Sequence, residues 1–74
     1  MGQDFGDLTC DQLWFRRNGI FKQAGYCFKT PRAIRQFGNA GCLYDDENAV
    51  PLSSQDRAAI AGFREMERIR NCPR

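Results

Sequence analysis

Seventy-four residues with a net charge of +2 make one small domain, and a chain this short buries only about 60 % of the surface its unfolded form exposes. The charge is too low to argue for nucleic acid, and no apolar run is long enough to cross a membrane. The absence of histidine removes the usual acid–base group near neutral pH.

Residues 1–7 combine glycines and aspartates without periodicity and read as a flexible N-terminal arm; residues 8–74 read as the helical domain. Thr9 and Gln12 fit the two halves of a capping box, with Leu8 and Leu13 placed as a hydrophobic staple. Leu13, Trp14, Ile20, Phe21 and Ala24 then recur at helical spacing, and Gly25 fits the terminating position. Thr30-Pro31 predicts a second start, threonine as cap and proline in the first turn, for a short helix ending near Phe37. From Asn39 to Leu52 the chain reads as an irregular acidic loop. Ser53 predicts the cap of a third helix, with Asp56 in its first turn. Ala59, Ile60, Phe63, Met66 and Ile69 are its expected apolar stripe. Together these predict an all-α domain of three helices, its core built from Trp14, Phe15, Phe21, Phe28, Phe37 and Phe63.

Four cysteines, Cys10, Cys27, Cys42 and Cys72, lie too far apart for a zinc site, and histidine is lacking. They read instead as two disulfides, each stabilising by about 2–4 kcal/mol, and so as an oxidising compartment such as a periplasm. Three pairings are possible. Antiparallel first and last helices would place Cys10 beside Cys72 and leave Cys27 for Cys42. No signal peptide is visible in residues 1–10, as expected of a mature exported form with an added Met1.

The stretch from Arg17-Asn18-Gly19-Ile20-Phe21 to Gly25-Tyr26-Cys27-Phe28-Lys29 resembles the YARHG domain, a family of extracytoplasmic bacterial modules. In that pattern an Arg-Asn pair precedes the naming motif, and an aromatic, one residue and a phenylalanine follow it. The naming motif falls on Phe21-Lys22-Gln23-Ala24-Gly25. Only Gly25 matches it: Phe21 stands for the tyrosine, and the motif's alanine, arginine and histidine are gone. Arg17, Asn18, Gly25, Tyr26 and Phe28 persist. The cysteine-bearing run from Gly25 to Cys42 resembles an alphaproteobacterial variant of the family. The likeness spans residues 8–72 and implies fold and export, with no single activity attached. The chain is also similar to small periplasmic lanthanide-binding chaperones of methylotrophic bacteria (LanD-like), which implies a site for a hard cation.

The residues argue against catalysis. Serines have no histidine partner, the cysteines are expected to be oxidised, and no glycine-rich phosphate loop is present. Binding is the expected role, and two regions compete for it. Asp45, Asp46, Glu47 and Asn48 offer oxygen donors suited to a lanthanide(III) or calcium ion, although the spacing is not that of an EF-hand. So few protein ligands would leave room for water or a second copy, giving a metal-bridged homodimer; the expected role is a periplasmic carrier or buffer. The alternative is an envelope module that recognises peptidoglycan or a periplasmic partner protein. Its face would be Arg16, Arg17, Lys22, Lys29, Arg32 and Arg35, a run free of acids and interleaved with aromatics. Within it, Arg17 and Asn18 are expected to hold helix packing, Arg17 through carbonyls or a carboxylate such as Asp56. Trp14, Tyr26 and Phe28 could stack on sugars but are expected in the core.

Overall fold

The computed structural model describes residues 8–73; the predicted arm, residues 1–7, lies outside them. Helix α1 spans Cys10–Gln23, α2 Pro31–Phe37 and α3 Ser54–Ile69, and no strand occurs among the described residues. Each start is capped as the sequence predicts. The Thr9 hydroxyl accepts from the Gln12 amide at 3.1 Å while Gln12 Oε1 accepts from the Thr9 amide at 2.8 Å, a complete capping box. The Thr30 hydroxyl accepts from Ala33 N, and the Ser53 hydroxyl from Asp56 N.

Two helix ends are closed by the same device. After α1, Tyr26 N donates to Phe21 O and Gly25 N to Lys22 O, a Schellman turn with Gly25 at φ +96°. After α3, Cys72 N donates to Glu67 O and Asn71 N to Arg68 O, with Asn71 at φ +55°. That second turn points Cys72 back along its own helix, toward the start of α1.

Helices α1 and α3 pack together and run antiparallel: Cys10, at the start of α1, is bonded to Cys72, just past the end of α3. Cys27 is bonded to Cys42. Both pairs are the ones expected from antiparallel outer helices. The core is Leu13, Phe21, Phe28, Ala33, Val50, Ile60 and Phe63, and each large side chain among them stabilises by about 1.5–3 kcal/mol. Val50, only 2 % exposed, pins a loop that carries no regular pattern of its own.

Two expected core residues are not in the core. Phe15 is 49 % exposed and Ile69 is 57 % exposed. The reason is angular. Two residues along a helix turn about 200°, so Phe15 lies nearly opposite Leu13. Steps of three fall behind the helical period, so after three such steps Ile69 lies about 180° from Ile60. Trp14 and Phe37 are half-buried, packed against the core rather than within it.

The loop from residue 38 to 53 is anchored twice. Tyr44 pairs with Tyr26 in an isolated parallel bridge, with Cys27 N donating to Tyr44 O at 2.8 Å and Leu43 N to Gly25 O at 2.7 Å. Asn39 uses its amide as a strand would, accepting from Phe28 N at 2.7 Å and donating to Phe28 O at 2.9 Å.

Candidate functional site

The acidic run does not gather. Asp45, Asp46, Glu47 and Asn48 are all exposed, and a short 3-10 turn, Glu47–Ala49, begins within them. Such a turn rotates successive side chains by about 120°, so Glu47 and Asn48 leave it in different directions. Asp46 caps that turn, its Oδ1 accepting from Asn48 N at 2.9 Å. Glu47 Oε1 takes Arg64 Nη2 at 2.5 Å. Among the described residues no group of three or more histidine, cysteine or acidic side chains is arranged to hold a metal ion.

The basic run divides in two. Arg17 turns inward: its Nε and Nη2 donate to the two carboxylate oxygens of Glu67 at 2.6 and 3.2 Å, with the side chains only 19 % and 14 % exposed. Its partner is therefore Glu67 on α3 and not Asp56, which sits in the first turn of that helix while Arg17 faces the last. Lys22 Nζ donates to Gly38 O at 3.3 Å. Arg16, Lys29, Arg32 and Arg35 stay outside, on and beside α1 and α2.

Those two helices enclose an open cleft of about 630 Å3, with Asp11, Trp14, Phe15, Arg16, Arg32 and Gln36 among its lining residues. The Arg32 guanidinium carbon sits over the Trp14 indole, 3.9 Å from the ring centre, a placement favoured by attraction to the ring face. Its Nη2 donates to Asp11 Oδ1 at 2.9 Å. Phe15 stacks on Phe37 at 5.3 Å, and Phe37 on Phe28 at 5.2 Å. From there Tyr26 and Phe21 continue the series into the core. Phe28 is buried and Tyr26 and Trp14 pack against the core, as the sequence predicts, whereas Phe15, expected in the core, carries the open ring. The helical angle between Phe15 and Leu13 is the signal that finds it.

A broader groove over α1 and α3 is rimmed by Arg17, Arg64 and Arg68, each engaged by a glutamate. Arg68 donates to both oxygens of Glu65, which holds that carboxyl below its ordinary range. The pair is fully exposed and screened by water, so it does little for stability.

This is a small all-α domain closed by two disulfides, with its polar chemistry on the outside. The profile of the YARHG domain matches residues 2–68, and the chain belongs to that family. Nothing among curated proteins or solved structures matches it. The residues that carry the likeness have structural roles. Arg17 fastens α1 to α3. Asn18 donates to Trp14 O at 2.9 Å. Gly25 turns the chain where a β-carbon would meet the Tyr44 ring at 3.4 Å, and Tyr26 and Phe28 form the middle of the aromatic series.

Proposed function

We propose that the domain is an exported interaction module of the bacterial cell envelope, binding an anionic component, peptidoglycan or an acidic partner protein, through the α1–α2 face. The observation that carries this is the α1–α2 cleft. Exposed Arg16 and Arg32 line it together with half-exposed Phe15, Asp11 is the acid among its lining residues, and Arg35 is exposed on the same short helix as Arg32. Two disulfides support export. Binding without catalysis belongs to the same proposal, because the chain has no histidine and its thiols are paired.

The test is retention on purified sacculi and on an acidic protein resin as salt rises from about 0.05 to about 0.5 M, where screening shortens from beyond 10 Å to a few ångströms. Retention should fall with salt and be lost in Arg32→Ala/Arg35→Ala. Absent or salt-insensitive retention ends the proposal.

A hard-cation carrier for lanthanide(III) or calcium is the second reading. Its support is the exposure of Asp45 and Asp46, consecutive in the chain; it requires Glu47 to leave Arg64, or a second copy to complete the shell. Terbium titration with Tyr44 or Trp14 excitation tests it. Saturable sensitised emission, weakened severalfold in Asp46→Asn, is expected, and no signal at micromolar metal rejects it.

A further inference from the structure

We infer that the α1–α2 cleft is a site for a short, carboxylate-bearing saccharide, with Arg32 taking the carboxylate and the open face of Phe15 taking a sugar ring. The assignment rests on the envelope-binding proposal and names the ligand class for its face.

Shape and lining both favour a sugar. A cleft of about 630 Å3 falls in the size range of small-ligand sites, whereas a folded protein needs a broad contact area. A membrane surface would need one long amphipathic helix with a continuous apolar stripe. Here the exposed apolar residues, Phe15 and Ile34, sit on different helices, and α2 has only seven residues. Besides Asp11, the polar lining includes flat, forked groups, among them the Gln36 amide and the Arg32 guanidinium. Such groups can meet neighbouring hydroxyls or acetamido groups with two atoms at once.

Arg32 is held in place before any ligand arrives. The Trp14 ring lies beneath its guanidinium carbon, and Asp11 takes one of its nitrogens. That pair is exposed, the side chains at 51 % and 86 %, so its carboxylate exchanges at little cost. A ligand carboxylate would replace Asp11 on the same guanidinium, one anion for another, with no covalent step. Asp11 is therefore a competitor for the site rather than part of its attraction. The exchange happens against the face of the chain's single tryptophan, which makes Trp14 emission a direct reporter.

The experiment is a Trp14 fluorescence titration of the oxidised chain with the disaccharide N-acetylglucosaminyl-N-acetylmuramic acid. Uncharged di-N-acetylchitobiose (chitobiose below), polyglutamate and anionic phospholipid vesicles are run in parallel. A saturable change with the muramyl disaccharide is expected, with chitobiose about tenfold weaker for want of a charge-assisted pair. Arg32→Lys keeps the charge but loses the fork, and should also bind about tenfold more weakly. Asp11→Asn should bind about threefold more tightly, since the competitor is gone. Phe15→Ala should weaken both sugars. The assignment is overturned if chitobiose binds as well as the acidic sugar, if polyglutamate or vesicles bind better, or if Arg32→Lys changes nothing. Salt-dependent retention on sacculi without any disaccharide response also overturns it, and leaves the interaction module standing. Loss of both ends both.

Discussion

The two disulfides should differ in what their removal does. Cys10–Cys72 closes a span of 62 residues and Cys27–Cys42 one of 15. In the chain-entropy account, cross-linking stabilises by restricting the unfolded ensemble, about 4.3 kcal/mol for the long loop and about 3.0 kcal/mol for the short one. A domain of 74 residues is expected to have a net stability of about 4–11 kcal/mol. Cys10→Ser/Cys72→Ser therefore removes a share comparable to the lower end of the whole. The loss is also structural, because the long bridge joins the free ends of the two helices that pack together. Cys27→Ser/Cys42→Ser leaves that pair intact and loosens the segment carrying α2, which the Asn39 and Tyr44 backbone bonds still hold. Urea unfolding followed by far-ultraviolet circular dichroism tests the order. With a slope of about 1 kcal/mol/M for a chain of this size, the long-bridge variant should unfold about 1 M urea earlier than the short-bridge variant. Equal midpoints, or a short-bridge variant that unfolds first, would refute the entropic reasoning.

Three further substitutions probe single joints. Arg17→Lys should cost about 2–3 kcal/mol, because a lysine cannot make the fork and leaves Glu67 partly buried against a poor partner; a cycle with Glu67→Gln should show coupling of at least about 1 kcal/mol by thermal melts. Asn39→Ala should cost about 2 kcal/mol and speed amide exchange at Phe28, since it strips a donor and an acceptor from one partly buried peptide. Gly25→Ala should cost about 1–2 kcal/mol, as a left-handed turn must then hold a β-carbon, with Tyr44 displaced in the near-ultraviolet spectrum.

Local rules carried most of the fold. Thr9-x-x-Gln12, Thr30-Pro31 and Ser53 each placed a helix start correctly, because a cap needs only residues within one turn of it. Gly25 placed an end for the same reason. Disulfide pairing was legible through one global inference, the antiparallel outer helices. What could not be read depended on contacts between distant segments. Asn39 imitates a strand for Phe28 eleven residues away, and nothing in its own neighbourhood says so. Arg17 had several acids to choose from, and the register of α1 on α3 selects Glu67. Whether the acids of the 45–48 run come together is a further thing the sequence does not carry, because adjacency in sequence is not convergence in space. The first turn of a helix, even a 3-10 turn, spreads consecutive side chains around its axis. Phe15 was misplaced for a simpler reason: aromatic character was counted before helical angle.

The distribution of acids bears directly on which surface is available for binding. The chain carries eleven basic and nine acidic side chains, nearly balanced, yet no acid lies between Asp11 and Asp45. On α3 and its loop the opposite charges meet each other: Arg64 with Glu47, Arg68 with Glu65. Glu67 crosses over to Arg17. In the groove over α1 and α3, Arg17, Arg64 and Arg68 are thus already answered, and an arriving anion would have to displace a glutamate at each of the three. On the α1–α2 face Arg32 is answered by exposed Asp11, the one acid among the residues that line the cleft. A modest net charge therefore goes with an uneven spread of charge along the chain, basic from residue 12 to 44, felt over roughly a Debye length, about 8 Å at physiological salt. In a domain this small, that unevenness selects the face more sharply than total charge does. Adding a single acid there, as in Arg35→Glu, would affect binding far more than the same change on α3.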